Sequence, residues 1–481
     1  MTMVARVARW WNRVSSGWRP PPMAADRLIL IGLALVALKF ANFQWLSSAI
    51  PGQVGAYASD ALEFACFLVF VGLTALSCRT VLPTWIQRLR LGRVLILAPV
   101  ALLVVGAFVL ATIAGSLAGD SQRIDDANAM AVCGAQAIVA GQDPYQVKEI
   151  ACLRQMGLSV SLATPLRVGS LADVRIYPSP TQIQAAARAA KSQGGTASLF
   201  SGLAKPPLDP LVMVPVASQS SQVRSLWTLL AAVVFAVLLG IAAGPLWAAA
   251  LAAFLATYYI PGSALNFASF GNAESVAYLL IALSVLWIRR PLLSAVCLGL
   301  AIGSNELALF FLPAYLLLSF SLGDWRRRVA ALVATLAVAV VPWLVAYPDA
   351  LGTIWRYLSA PTFPLGYGPV VLILQHLIKP FPSVLFLAAT ATAMALTLLW
   401  GWLRPSWRIS AGVLVLAGFW LSWRSLDEYM AQVPLVALVA IVALLAGRNL
   451  GKPQEKEYPQ VPAHASPVSA NVAQPGGPAT V

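Results

Sequence analysis

Long apolar runs alternate with short polar turns along most of the chain, and this pattern predicts a helical membrane protein. A helix needs about 20 apolar residues to cross a bilayer at about 1.5 Å per residue. The backbone must also satisfy its own hydrogen bonds in lipid, which favours helices over isolated strands. Twelve spans are predicted, at 28–48, 58–78, 94–118, 225–243, 246–261, 273–288, 291–304, 306–321, 329–347, 382–403, 409–423 and 429–447.

One long polar segment, residues 119–224, interrupts this pattern between the third and fourth predicted spans. Within it, residues 126–140 are rich in Ala, Met, Val and Gln, which favours a short helix. Gly141 suits the position just after a helix, and Pro144 prevents the helix from continuing. The fold class predicted from the sequence is therefore an all-α polytopic membrane protein with one large loop that carries short helices.

The composition agrees with a membrane protein and sets the orientation. Hydrophobic residues make up 59% of the 481 positions and charged residues 10%, whereas a soluble domain has about a quarter of its residues charged. The net charge is +14, but short turns hold many of the Lys and Arg residues, which indicates orientation rather than nucleic-acid binding. Such turns contain Arg79 with Arg88, Arg289 with Arg290, Arg326 to Arg328, Arg404 with Arg408, and Arg448 with Lys452.

Placing these basic turns in the cytoplasm predicts both termini inside and the long loop on the outer face. The predicted organisation is a basic cytoplasmic segment at 1–27, a transmembrane domain at 28–450 with the outer-face loop at 119–224, and a disordered cytoplasmic tail at 451–481. Two of the five cysteines, Cys133 and Cys152, share this loop. A disulfide between them is one option on an oxidising face.

Two aspartates stand where the loop helix begins. Asp125 and Asp126 occupy the predicted cap and first turn, where the helix dipole favours an ionised carboxylate. An ionised aspartate beside a membrane cavity has the chemistry of a general base that deprotonates a hydroxyl. Helix capping alone is the alternative explanation.

Several short motifs carry a resemblance to a known family when they are taken in order. The motifs are Gly141, Asp143, Pro144 and Tyr145; Lys205 to Leu211 with Leu226 to Leu230; Phe270 to Asn272; Gly299 to Pro313; and Arg424 to Pro434. Their order and spacing resemble the polyprenol-phosphate-dependent glycosyltransferases of the GT-C superfold, in particular the bacterial mannosyltransferase-like group. The resemblance covers about 120–435.

The resemblance implies a GT-C-like fold and a transferase of the bacterial plasma (inner) membrane with a periplasmic or extracellular active face. Its donor would be a polyprenyl-phosphate sugar, with mannose as one candidate, and its acceptor a glycan or a lipid. The resemblance implies Asp126 as the first candidate for the base, Asp125 as its alternative and Asp120 as the third. A phosphate leaving group needs cations near the membrane interface. The outer-facing candidates for that contact are Lys205, Arg224, Arg356 and Arg424.

The sequence departs from the family pattern in three ways. The acid follows the third predicted span, whereas the family usually presents it after the first. Asn305 and Glu306 stand where a lysine is usual, and Lys205 replaces an aromatic residue before the Pro-Pro pair. These departures leave the identity of the donor open, and they keep a catalytically silent GT-C-like protein among the alternatives.

Other polar residues in the apolar regions are further site candidates. Glu274 and Glu306 lie near the outer ends of predicted spans, where an acid is costly unless it is paired or functional. Tyr145 is a candidate for sugar stacking or for packing. Lys39, in the first predicted span, either pairs with an acid or extends to the interface. A transporter or flippase for a lipid-linked or small solute would also explain these charges.

No metal-ligand pattern is visible in the sequence. Carboxylates beside a phosphate suit Mg²⁺ or Mn²⁺, so a divalent cation stays open as a cofactor.

Overall fold

We describe the protein from a computed structural model. The described residues are 24–41, 53–89, 97–118, 125–163, 166, 171, 174–192, 203, 205–320, 322, 324–358, 365–366, 368–374, 382–422, 424–425 and 427–445. Asp120 and the predicted tail at 451–481 lie outside this range, as does most of the basic N-terminal segment.

The described part of the chain is almost entirely helical. The first ten helices are α1 (Ala24–Ala41), α2 (Gln53–Cys78), α3 (Thr84–Leu89), α4 (Ala98–Ala118), α5 (Asp126–Val139), α6 (Glu149–Gln155), α7 (Pro180–Ser192), α8 (Leu208–Met213), α9 (Ser221–Ala243) and α10 (Trp247–Ala256). The next ten are α11 (Ala264–Ser269), α12 (Glu274–Leu286), α13 (Pro291–Ser304), α14 (Leu307–Phe320), α15 (Trp325–Ala346), α16 (Ala350–Leu358), α17 (Val370–Leu374), α18 (Ser383–Leu403), α19 (Arg408–Leu414) and α20 (Asp427–Leu445).

Short 3₁₀ turns and one minimal strand pair complete the secondary structure. The 3₁₀ turns are Pro144–Gln146, Val160–Leu162, Val214–Val216, Gly244–Leu246, Thr257–Tyr259, Pro405–Trp407 and Val415–Leu421. Strands β1 (Leu365–Gly366) and β2 (Arg424–Ser425) pair in parallel, with Leu365 opposite Arg424. These strands are not predicted from the sequence.

The protein is an α-helical membrane protein by the length and composition of its helices. Five described segments are long and apolar enough to cross a bilayer: Tyr57–Cys78, Ala98–Leu117, Ser221–Tyr259, Trp325–Ala346 and Val384–Leu403. Five shorter apolar helical segments accompany them: Glu274–Leu286, Pro291–Ser304, Leu307–Phe320, Pro405–Leu421 and Glu428–Ala443.

The longest apolar segment, Ser221–Tyr259, reverses direction near its middle. A 3₁₀ turn, Gly244–Leu246, separates α9 from α10, and its first residue, Gly244, has a φ of 59°. Gly240 and Leu251 are in van der Waals range, since a Cβ built on Gly240 would lie 3.8 Å from the Leu251 side chain. In a continuous helix these residues would be about 16 Å apart. The two helices therefore form a hairpin.

The most deeply buried helix is α20, the last one described. Every residue from Met430 to Ala443 is buried, including Gln432. Nε2 of the Gln432 amide donates hydrogen bonds to the carbonyl oxygens of Gly262 and Glu428, at 2.8 and 2.9 Å. The core of the bundle thus surrounds α20.

The polar loop has an apolar core of its own. Ala129 and Met130 of α5 pack with Ile150 and Leu153 of α6, and Trp343 at the end of α15 belongs to the same cluster. A disulfide joins Cys133 of α5 to Cys152 of α6, with the two Cα atoms 6.1 Å apart. The disulfide that the sequence left open is thus present, and it ties the first two loop helices together.

Loss of this disulfide is expected to lower the free energy of unfolding by about 2–4 kcal/mol, because the reduced chain has more conformational entropy when it is unfolded. Thermal unfolding of the purified protein should therefore shift to lower temperature when reductant is added. A Cys133→Ser/Cys152→Ser variant is the control, since its unfolding should not respond to reductant. An unchanged melting temperature for the reduced wild-type protein would contradict the prediction.

Candidate functional site

A short segment of the loop, Lys205 to Met213, brings the candidate residues together. Its helix α8 lies between α5 and α13. A Cβ added to Gly303 of α13 would lie 2.8 Å from the Leu208 side chain, so a larger residue there would require Leu208 to shift. On the other side, a Cβ on Gly134 would lie 3.2 Å from that of Pro210. The segment is therefore held against the ends of the apolar helices.

Lys205 pairs with two acids from the apolar region. Its Nζ contacts Oε1 of Glu274 directly and lies 3.4 Å from Oε1 of Glu306. Glu274 is 3% exposed, whereas the Glu306 side chain is 28% exposed. Both acids singled out from the sequence thus meet the same lysine, which comes from the polar loop.

Glu274 begins helix α12 and is held at three points. Its backbone N–H donates to Oδ1 of Asn272 at 2.9 Å, and the Tyr278 hydroxyl donates to its Oε2 at 2.9 Å. Lys205 contacts its other carboxylate oxygen. These bonds compensate for the burial of the acid and fix its orientation.

Asp125 is joined to this group through Asn272. As the cap of α5, its Oδ1 accepts a hydrogen bond from the backbone N–H of Asn128 at 2.7 Å. Its Oδ2 accepts a hydrogen bond from Nδ2 of Asn272 at 3.1 Å. The capping role predicted from the sequence is thus confirmed, and the same carboxylate also faces the acid group. We call Asp125, Lys205, Asp209, Glu274 and Glu306 the acidic cluster.

Asp209 of α8 is the most deeply buried member of the acidic cluster. It is 1% exposed, and neither carboxylate oxygen has a hydrogen-bond partner among the described residues. Burial raises the pKa of Asp209 well above its usual range; Lys205 opposes this, while the charges of Glu274, Glu306 and Asp125 add to it. Burial therefore favours the neutral form of Asp209, because a buried carboxylate without partners is costly.

The pKa of Asp125 is raised to about 7. Burial is the largest cause, and the negative charge of Glu274 adds to it; the hydrogen bond from Asn128 acts in the opposite direction. For Lys205, burial alone would lower the pKa, but the charges of Glu274 and Glu306 raise it well above its usual value. The acidic cluster thus contains a stable ammonium and a carboxyl that exchanges protons near neutral pH.

Asp126 lies in the first turn of α5, beside a second buried acid. Its Oδ1 accepts a hydrogen bond from the backbone N–H of Ala127 at 2.9 Å. Glu149 of α6 is 5% exposed, and burial, with the charge of Asp126 as a second cause, raises its pKa well above the usual range. Asp126 therefore neighbours Glu149, whereas Asp125 is the aspartate bonded toward Lys205.

The structure describes the side chains of two of the four cations predicted to contact a phosphate, Lys205 and Arg224. Lys205 already pairs with the carboxylates of Glu274 and Glu306. Arg224 is 7% exposed and donates from NH1 to the Gln219 carbonyl at 2.6 Å, in a polar pocket of about 310 Å³. Arg356 lies on α16 and Arg424 in β2, but their side chains are outside the described part of the structure.

Tyr145 is buried at 2% exposure. Its hydroxyl accepts a hydrogen bond from Nε1 of Trp343 at 3.1 Å and donates to the Lys205 carbonyl at 3.3 Å. Its ring also packs near those of Trp343 and Tyr347. The face that sugar stacking requires is therefore covered in this structure, and Tyr145 instead supports the backbone of Lys205.

Two departures from the family pattern are in contact with each other. Lys205 takes the place of an aromatic residue, and Glu306 follows Asn305 where a lysine is usual. The ammonium and the carboxylate lie 3.4 Å apart. Lys205 therefore provides an opposite charge for Glu306.

Sequence reasoning missed Asp209 and Glu149 as site residues. Asp209 is marked in the sequence only as part of the proline-rich motif, and no motif marks Glu149.

Helix α2 holds two more acids, Asp60 and Glu63. The Glu63 carboxylate accepts a hydrogen bond from the Gly368 N–H at 2.8 Å. Because an acid in an apolar run is costly unless it is paired or functional, the sequence alone indicates that Asp60 and Glu63 need a partner or a role.

Within the described residues, no group of three or more His, Cys, Asp or Glu side chains has the geometry to hold a metal ion. Searches with protein-family models, among curated proteins and among solved structures found no match to the chain.

Proposed function

We propose that the protein is an integral membrane glycosyltransferase that moves a sugar from a polyprenyl-phosphate donor to an acceptor hydroxyl. The observation that carries this proposal is the linkage of Asp125, through Asn272 and Glu274, to Lys205. It brings the acids at the start of the loop helix into one site with the later proline-rich motif. The family resemblance associates those two regions with transfer.

In the proposed reaction, Asp125 acts as the base. Its carboxylate accepts the proton of the acceptor hydroxyl as that oxygen attacks the anomeric carbon of the sugar. The bond between the anomeric carbon and the phosphate oxygen breaks, and the phosphate leaves with the electron pair. A base with a pKa of about 7 suits this step, because general bases work best when their pKa is near the ambient pH. Asp126 is the alternative base.

The other cluster residues have supporting roles in this proposal. Glu274 raises the pKa of Asp125 through its negative charge, and Lys205 provides the counter-charge that Glu274 contacts. Because Lys205 is already paired, contact with the departing phosphate falls to Arg224, Arg356 or Arg424 in the proposed site. A divalent cation, Mg²⁺ or Mn²⁺, stays open as an additional partner of the phosphate.

We place the reaction on the outer face of a bacterial plasma membrane, with both termini in the cytoplasm. The Cys133–Cys152 disulfide supports this orientation, because disulfides persist in oxidising compartments and are rare in the cytosol. The distribution of basic turns supports it independently.

Transport of a lipid-linked or small solute is the alternative function. A transport pathway through Glu274 and Glu306 would require the polar loop to turn away from these two acids. Instead, Lys205 of the loop contacts both acids. That contact favours the transferase over the transporter.

The test is to incubate the purified protein with labelled polyprenyl-phosphate sugars and candidate acceptors, and to measure transfer against pH. We expect the rate to rise with pH through about 7 and then level off, because Asp125 is protonated below its pKa and a base above it. The Asp126→Asn variant should keep this profile. A rate that falls as pH rises through 7 would contradict a carboxylate base, and the absence of transfer from any such donor would remove the proposal.

A further inference from the structure

The structure contains an apolar groove with one charged residue at its rim. The groove has a volume of about 420 Å³, within the range of ligand sites, and lies between α1, α4 and α10. Its walls are almost wholly apolar, with Leu28, Leu35, Ala101 and Ala253 among the contributing side chains. Lys39 is the only charged residue among the described ones that line it. We call this the Lys39 groove.

Lys39 lies in the last turn of α1 and is partly buried. The structure gives its ammonium no hydrogen bond or ion pair with another described residue. Holding a charge in apolar surroundings is costly unless an opposite charge compensates it. The lysine therefore creates a local preference for an anion, at one end of a hydrocarbon-like surface.

The length of the groove is also informative. Its wall on α1 runs from Leu28 to Lys39, which corresponds to about 16 Å along the helix. A free inorganic anion would leave this apolar surface unfilled. A molecule that joins a negatively charged head to a hydrocarbon chain would match both parts.

We propose that the Lys39 groove binds a lipid, with the lipid phosphate at Lys39 and the hydrocarbon chain along α1, α4 and α10. Tyr259 belongs to the same lining and carries a hydroxyl that is able to donate a hydrogen bond. The binding itself does not depend on the proposed transfer reaction. Only the further assignment of this lipid as the sugar donor depends on it.

The end of the groove adjoins the region of the acidic cluster. Gly262 follows the lining residues Tyr259 and Ile260 closely in the chain, and it has a φ of +74°. A Cβ at Gly262 would lie 2.6 Å from the backbone of Glu428, so the two segments are in direct contact. The charge of Glu428 in turn raises the pKa of Lys205. This contact connects a lipid in the groove with the proposed site.

A second groove provides an internal control. It has a volume of about 410 Å³ and lies between α8, α9 and α12, with Trp227, Ala231 and Leu280 among its lining residues. Its described lining contains no charged residue. It should accept hydrocarbon without selecting for a phosphate.

The experiment measures equilibrium binding of a labelled short-chain isoprenyl phosphate to the full-length protein in detergent. The matching isoprenyl alcohol and inorganic phosphate serve as competitors. We expect Lys39→Gln to weaken binding about tenfold, because a charge-assisted contact is lost, and Lys39→Arg to retain it. Ala253→Trp, which fills the Lys39 groove, should abolish binding, whereas Ala231→Trp in the second groove should leave it unchanged.

Three results would overturn the lipid assignment: equal affinity for the alcohol and the phosphate, unchanged binding by Lys39→Gln, or displacement of the lipid by inorganic phosphate alone. Lys39→Gln and Lys39→Arg keep the test decisive if a tryptophan variant does not fold. A wild-type protein that binds the lipid but transfers no sugar would refute the transferase proposal and leave the Lys39 groove intact. Transfer together with unchanged binding by Lys39→Gln would do the reverse.

Discussion

Replacing Asp125 with asparagine is expected to lower the rate of sugar transfer by about 100- to 10,000-fold, the usual contribution of a positioned general base. Asparagine caps helices as well as aspartate does, so the hydrogen bond to Asn128 can be retained. The variant therefore removes the proton acceptor with little effect on the fold. The rate of transfer under saturating donor is the quantity to measure.

Asp143→Asn is the matched control for this prediction. Asp143 also caps a turn in the polar loop, accepting a hydrogen bond from Tyr145 N–H at 2.9 Å, but it is not bonded to the acidic cluster. It should transfer sugar at nearly the wild-type rate. Loss of activity in Asp126→Asn but not in Asp125→Asn would reassign the base to Asp126. Full activity in both variants would refute an aspartate base at this helix.

The second large effect is expected on stability. Lys205→Met should lower the free energy of unfolding by about 3–5 kcal/mol, because it leaves the buried Glu274 without its counter-charge. Adding Glu274→Gln should recover much of this loss, since the buried charge is then removed as well. Unfolding by denaturant in detergent measures both variants and their coupling.

Lys148→Met is the control for Lys205→Met. Lys148 belongs to the same loop but is exposed, so its replacement should change stability by less than about 0.5 kcal/mol. If Lys205→Met were no more destabilising than Lys148→Met, the ion pairs with Glu274 and Glu306 would not contribute to the fold.

Local features of the sequence predicted the local structure well. The helix predicted at 126–140 extends from Asp126 to Val139, with Asp125 as its cap. Gly141 has a φ of 69° just beyond the end, as a helix-ending glycine requires. These features depend on neighbouring residues, so the sequence is sufficient to predict them.

The composition of the site was less predictable because it depends on contacts between distant segments. Lys205 is 69 residues from Glu274 and 101 residues from Glu306. The cost of an acid in an apolar run indicates that it needs a partner, but not which cation provides it. Asp209 shows the same limit, since its burial results from the packing of α8 between α5 and α13.

The pairing of Lys205 with later residues also has a consequence for biosynthesis. At about 5–20 residues per second, the ribosome needs about 5–20 s after adding Lys205 to reach Glu306. Lys205 lacks both acidic partners until Glu274 is added, and it lacks Glu306 until the end of this interval. With the loop on the outer face, as proposed, a nascent chain that stops short of Glu274 exports a loop that is not yet anchored. A protease added on that side should then cut this loop more readily than it cuts the loop of the finished protein.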